Sequence, residues 1–236
     1  MIADRVAAVR DRIARAASRA RRRPEDVTLV AVSKTQPADA VREAFAAGVR
    51  HFGENKVREA EPKVAALAAL RKDGLLWHLV GHLQANKARA AVTLFDRIDS
   101  VDDVRLGNRL ERAAGEQKKP LPVLVQVKLG DEETKAGLDE QHLFPALESL
   151  RGSKRLRIEG LMTIPPFDAD PEKVRPFFRR LRELRDKAVG AGLLLGSQLS
   201  MGMSHDLEVA VEEGATMVRV GTDLFGTRSR KARGAA

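Results

Sequence analysis

Lys34 directly follows the apolar run Leu29-Val30-Ala31-Val32-Ser33. An amine at the inner end of a buried strand is poorly hydrated, which disfavours the ammonium form and lowers its pKa. A neutral amine is the nucleophile that forms a Schiff base with an aldehyde. The alternative is a lysine that reaches solvent, or one that pairs with Glu54 or Asp223. A second group lies near the C-terminus. Ser200-Met201-Gly202-Met203-Ser204 precedes a short helical segment, and Gly221-Thr222 follows the apolar run that ends at Val220. Glycine lets backbone N–H groups approach an anion, hydroxyls donate to it, and a helix N-terminus favours negative charge. Arg219 stands two residues before Gly221, so on a strand both point to the same side.

These residues need elements that bring them together. Eight short apolar runs rich in β-branched residues recur along the chain, at 27–32, 49–52, 77–80, 97–101, 123–127, 157–161, 198–201 and 217–220. Their mean repeat is about 27 residues, one strand–helix unit. Helical spacing or composition fills the intervals, at 38–47, 57–70, 86–94, 104–117, 141–150, 172–189 and 206–213. Ile2, Val6, Val9 and Ile13 step by three or four residues and predict an extra N-terminal helix. Eight such units predict an α/β chain folded as a single (β/α)8 TIM barrel. An open doubly wound sheet is the competitor, but no Gly-x-Gly-x-x-Gly follows the first strand. No linker divides the chain. Residues 1–228 are read as the barrel and 229–236 as a basic tail that frays.

In a barrel, residues just past each strand converge on one mouth, and phosphate sites are often built from the last two loops. An aldehyde-trapping lysine and a phosphate cradle facing one cavity point to pyridoxal 5′-phosphate as the ligand. Arg219 is then placed to donate to the pyridine nitrogen. A permanent cation there opposes protonation of the ring and limits carbanion chemistry. The alternative for Arg219 is pairing with an acidic neighbour such as Asp223. Met162, Met201 and Met203 are strand-end residues that pack beside such a ligand or fill the core. Met203 is assigned to the ligand.

Composition removes several function classes. The chain has 236 residues, 43% hydrophobic and 32% charged, with no cysteine and no tyrosine. No stretch reaches the ~18 uncharged apolar residues of a membrane span. Without cysteine there are no disulfides, thiol nucleophiles or thiolate metal sites. The net charge is +9. Arg19 and Arg21 to Arg23 form one basic cluster, and Arg228, Arg230, Lys231 and Arg233 another. No aromatic residues interleave with them, so they read as solvated surface rather than a nucleic-acid platform. His78 and His82 straddle a strand end with no third ligand in view, so no metal site is expected. Asp4 and Asp11 argue against a transit peptide, and no apolar secretory core is present, so the expected location is cytoplasmic.

Several segments together resemble the YggS/PROSC family of pyridoxal phosphate homeostasis proteins. They are Ala31-Val32-Ser33-Lys34-Thr35, His51-Phe52-Gly53-Glu54-Asn55, and Trp77-His78-Leu79-Val80-Gly81-His82-Leu83-Gln84-Ala85-Asn86-Lys87. Gly160-Leu161-Met162, Leu199-Ser200-Met201-Gly202-Met203-Ser204 and Met217-Val218-Arg219-Val220-Gly221-Thr222 follow in family order. The resemblance implies a single-domain barrel similar to the N-terminal domain of bacterial alanine racemase, the type III fold of pyridoxal phosphate proteins. It implies that Lys34 holds the cofactor as an internal aldimine and that Asn55 lines it. Ser200, Gly221 and Thr222 match phosphate positions, and Arg219 matches the residue facing the ring nitrogen. The sequence departs from the family at Thr134-Lys135-Ala136-Gly137 and in the tail after residue 228.

A racemase of this fold uses the lysine on one cofactor face and a partner subunit's tyrosine on the other. Without tyrosine or cysteine, neither this chain nor a second copy supplies that group. His82, His205 or a carboxylate would have to stand in, and nothing in their spacing places them there. The expectation is a non-enzymatic carrier that holds or buffers pyridoxal phosphate in vitamin B6 homeostasis, with no catalytic residues. It is expected to be a monomer, with apo forms of pyridoxal-phosphate enzymes as recipients and neither nucleic acid nor membrane as partner. The alternative is a pyridoxal-phosphate enzyme acting on an amino acid, of the racemase or decarboxylase type.

Overall fold

Most barrel strands are short runs rich in aliphatic or β-branched residues and buried on both faces, the pattern of a parallel sheet covered by helices. The computed structural model describes residues 1–130 and 136–226. The strands are β1 (Thr28–Val32), β2 (His51–Glu54), β3 (Leu76–Leu79), β4 (Arg97–Val101), β5 (Leu121–Lys128), β6 (Leu138–Asp139), β7 (Leu156–Met162), β8 (Gln198–Ser200) and β9 (Met217–Val220). All pairings are parallel, in the order β4-β3-β2-β1-β9-β8-β7-β5, and β4 pairs with β5 to close the ring. Eight strands thus form the expected single barrel. The two-residue β6 hangs on the end of β5, with Val127 opposite Leu138.

The helices are α1 (Ile2–Arg19), α2 (Ala38–Ala46), α3 (Val57–Ala66), α4 (Ala88–Leu94), α5 (Val104–Glu116), α6 (Glu140–Leu150), α7 (Arg175–Gly190), α8 (Leu207–Glu212) and α9 (Thr222–Phe225). No helix of the described residues is long and apolar enough to cross a membrane. The expected helix 57–70 stops at Ala66 and passes into a 3-10 turn over Ala68–Asp73, which Gly74 ends at φ 91°. The expected helix 86–94 likewise opens with a 3-10 turn, Ala85–Lys87. The tail 229–236 and the Thr134-Lys135 pair lie outside the described residues.

Two apolar layers hold the barrel. The outer one packs strand residues such as Phe52, Trp77, Leu79 and Ile98 against the helices. The inner one is a separate cluster of Val30, Leu124, Met162 and Met217 inside the ring. The strand period of two places Val218 and Val220 in the outer layer, and Met217 and Arg219 on the inner side. Gly160 makes the β7–β8 contact possible, since a Cβ there would lie 2.0 Å from the Gln198 carbonyl oxygen.

Helix α1 buries Val6, Val9, Ile13, Ala16 and Ala17 on one stripe, as its spacing predicts. It also makes ion pairs across the barrel's outer face. Arg12 Nε donates to Glu208 Oε1 of α8 at 2.6 Å, and the same guanidinium pairs with Asp223 of α9. The N-terminal helix therefore braces the two short helices that follow β8 and β9.

Candidate functional site

The strand C-termini open on a cavity of about 510 Å³. Lys34, Asn55, Met203, Arg219, Gly221 and Thr222 all line it. Ser200, the remaining expected site residue, lies buried just beneath. Its hydroxyl oxygen accepts a hydrogen bond from Arg219 Nη1 at 2.7 Å.

Lys34 sits in a tight turn. Ser33 N–H donates to the Gly53 carbonyl at 2.9 Å, which carries the β1–β2 pairing one residue past the strand. Gln36 N–H donates back to Ser33 O at 3.0 Å. Thr35 adopts φ 64°, a left-handed conformation that is costly for a β-branched residue. The strain is held by a buried polar cluster below the turn. Ser33 Oγ donates to Glu54 Oε1 at 2.6 Å, and Lys63 Nζ donates to Ser33 O at 2.7 Å and also pairs with Glu54. Glu54 is thus held by Ser33 and Lys63, while Asp223 is held by Arg12.

Arg219 enters from β9 and is almost fully buried. Nη1 donates to Ser200 and Nη2 to the Thr163 carbonyl at 2.8 Å. Burial pulls its pKa down to about 10 against the attraction of Asp99 and Asp206, so it remains a cation at neutral pH. The loop after β8 is shaped around it. Gly202 takes φ 90°, and its carbonyl accepts the Arg219 backbone N–H at 2.9 Å. A Cβ on Gly202 would come within 2.4 Å of the Ala210 side chain. Met203 N–H donates to Asp206 Oδ1 at 2.6 Å, which pins the residue that lines the cavity. Burial pushes the Asp206 carboxyl up.

The polar wall has further members, of which Ser204 belongs to the expected anion-binding segment and His205 is a candidate acid or base, while the sequence assigns Thr35 and Gln36 no role. Thr35, Gln36 and Ser204 line the cavity, as does His205. His205 Nε2 lies 3.1 Å from the carbonyl oxygens of both Asp168 and Ala169. Its ring centroid lies 5.3 Å from that of the exposed Phe167, so the loops after β7 and β8 are tied together at the rim.

Lower in the lumen a polar chain crosses three strands. His51 Nδ1 lies 2.9 Å from His78 Nε2, and His78 Nδ1 lies 2.8 Å from Asp99 Oδ2. Arg97 Nε donates to Asp99 Oδ1 at 2.7 Å. Burial raises the Asp99 carboxyl, but His78 and Arg97 outweigh it and hold it at about 2. Burial, then the neighbouring His78 and Arg97, push His51 down to about 4. The ionised Asp99 and the neutral His51 thus flank His78 at its two ring nitrogens. His82 is instead paired with Asp102 at 2.6 Å. Among the described residues no group of three histidines or carboxylates could hold a metal ion.

Comparison with known proteins places this architecture. Residues 5–229 match the family model for the alanine racemase N-terminal domain. The pyridoxal phosphate homeostasis protein of Pseudomonas aeruginosa is 45% identical over 228 residues, covering 96% of this chain and 96% of its own length. PipY of Synechococcus elongatus, solved with pyridoxal phosphate bound, is 44% identical with a TM-score of 0.85, covering 96% of this chain and 100% of that one. Alanine racemase of Streptomyces coelicolor is 22% identical with a TM-score of 0.69, covering 94% of this chain and 58% of that one, and shares the fold alone. By sequence along almost its whole length and by the closed barrel built on it, the chain belongs to the pyridoxal phosphate homeostasis protein family.

Proposed function

We propose that this chain binds pyridoxal 5′-phosphate in the cavity between the ends of β1 and β9. It would act in cytoplasmic pyridoxal phosphate homeostasis, holding the cofactor and handing it to apoenzymes as a monomer. The observation that carries the reading is that Lys34 and the buried Arg219 line one cavity with Gly221 and Thr222. The bound structure of PipY supports it.

The residues present fit that group. Pyridoxal phosphate supplies an aldehyde, a pyridine ring that draws electron density, and a phosphate. Lys34 offers the only lysine amine on the cavity wall among the described residues, and the strained turn at Thr35 fixes where its backbone enters. Arg219 is the group for the ring nitrogen. A guanidinium carries donors only, so it leaves a nitrogen opposite it unprotonated. Gly221, Thr222 and Ser204 present backbone N–H groups and hydroxyls suited to the phosphate. Ser200 supports that arrangement through Arg219, from which its hydroxyl oxygen accepts, and keeps its O–H proton to donate. Asn55 and Met203 supply a polar and a thioether wall.

A carrier needs no second proton-transfer group. Beyond Lys34 and Arg219, His205 is the one ionisable side chain lining the cavity among the described residues. Its contact with the Asp168 and Ala169 carbonyls gives it a place in the rim. Its presence also favours the second reading, an enzyme acting on an amino acid with His205 as the opposite-face acid or base.

The test is an absorbance spectrum of the purified protein beside Lys34→Ala, with pyridoxal phosphate and then borohydride. A visible band in the parent alone, fixed by reduction onto the Lys34 peptide, is expected. The same featureless spectrum in both proteins overturns the assignment. Repeated turnover of one amino acid, lost in His205→Ala, would replace the carrier with the enzyme.

A further inference from the structure

Helix α5 carries Arg105, Arg109 and Arg112 at i, i+4 and i+7, which places them along one face. The opposite face is buried through Leu106, Leu110 and Ala113. None of the three arginines makes a hydrogen bond or ion pair among the described residues, and all are exposed. Many other exposed and half-buried arginines are matched with carboxylates, although Arg5, Arg21, Arg58 and Arg155 are not, and none of those four lies in an unmatched stripe of three. Arg175 alone meets Glu172, Glu212 and Glu213. Like charges a helical turn apart repel, so an unmatched stripe works against the helix that carries it.

The stripe lines a concavity. Together with Asn86, Arg89 and Asn108 it walls a groove of about 730 Å³ between α4 and α5. The groove continues past His82 and Gln84, where Arg105 and Arg109 again form a wall. It then opens into a cavity of about 870 Å³ that adds Lys56, Arg58 and Lys87 and reaches Asn55. Asn55 also lines the site that holds Lys34. A trough with a cationic wall therefore runs from the flank of the barrel to the mouth of that site.

Its chemistry selects the occupant. Guanidinium forks match carboxylates with two parallel hydrogen bonds. A stripe with helical spacing matches a second helix whose carboxylates repeat at the same interval. No phenylalanine, tyrosine or tryptophan lines the trough and His82 is its one ring side chain, so a single-stranded nucleic acid lacks the succession of stacking surfaces it needs. Glu61, Asp103 and Glu116 are interspersed with the cations. They would oppose an unbroken run of phosphates but suit a protein surface of mixed charge. We propose that the trough along α5 is the docking surface for an acidic helix on the surface of a partner protein, which it aligns with the mouth of the Lys34 cavity. The inference rests on charge and shape and does not depend on what the cavity binds.

The test uses two fluorescein-labelled probes, a helical peptide with glutamate at i, i+4, i+7 and i+11, and an oligothymidylate of equal charge. Fluorescence anisotropy would be read with the parent, with R105E/R109E/R112E, and with R21E/K154E/R155E, which reverses as many exposed charges outside the trough. Loss of three charge pairs predicts that the trough variant weakens the peptide about tenfold or more, and the control about twofold or less. Equal losses in both variants would reduce the effect to bulk charge and overturn the proposal. So would a parent that does not bind the peptide, or oligothymidylate binding tighter than the peptide and lost in the trough variant. Circular dichroism checks the fold, and R105Q/R109Q/R112Q repeats the measurement without reversed charges.

Discussion

Arg219 Nη1 and Ser200 Oγ are joined at 2.7 Å beneath the cavity, with both side chains buried. A hydroxyl that the sequence places with a phosphate also steadies the guanidinium from below. Ser200→Ala leaves a buried charged donor without its acceptor, at a cost of about 1–3 kcal/mol in urea unfolding. Pyridoxal phosphate affinity should fall with it, and Ser200→Thr should restore much of both. Unchanged stability and affinity in Ser200→Ala would show that the bond does not support Arg219.

The Lys63–Glu54 pair underlies the Lys34 turn, and both side chains are buried. Removing one partner strands the other charge, so Lys63→Met should cost about 3–5 kcal/mol. Lys63→Met with Glu54→Gln should recover most of that. Denaturant titrations of the two variants check it, and equal stability for single and double variants would contradict it.

Acid should weaken the fold in two steps. His51 has a folded pKa of about 4 against 6.5 for the free group, so the folded state resists its proton. Its contribution is complete above 6.5 and declines as the pH falls toward 4, by about 2 kcal/mol after allowing for partial exposure. Asp99, held at about 2 against 3.8, contributes fully above 3.8 and is lost as the pH falls through about 2. Urea midpoints measured against pH should show both steps. His51→Gln should abolish the upper one and leave the lower.

Gly160→Ala forces a Cβ against the Gln198 carbonyl, a backbone atom that cannot step aside. Overpacking of this kind costs about 1–3 kcal/mol, and more where backbone must shift. Gly152→Ala, where nothing lies within 4 Å, serves as the control. A lower thermal midpoint in the first alone is the expected result.

The barrel was legible because most of its buried parallel strands are short runs of branched residues, and its longer helices carry apolar stripes. The α1 stripe at Val6, Val9 and Ile13 is where its spacing put it. Six of the seven expected site residues share one cavity because residues just past a strand can only face the mouth. Other features depend on registers that no local pattern encodes. The His51–His78–Asp99 chain joins three strands through their alignment, so the histidines looked unrelated in the sequence. The trade of Glu54 to Lys63 and of Asp223 to Arg12 required knowing which helices cross which loops. β6 and α9 span two and four residues, too few for any period to show.

The seam of the barrel has a consequence for the timing of synthesis. Thr28 pairs with Met217 across β1 and β9, and the cavity draws Lys34 from one side of that seam and Arg219, Gly221 and Thr222 from the other. Contacts so distant in sequence close late, after the local units have formed. A chain still on the ribosome carries its lysine from the first strand onward but has no chamber around it until the ninth is released. The wall of the cavity is therefore incomplete until β9 has been made, and it closes only as the ring shuts.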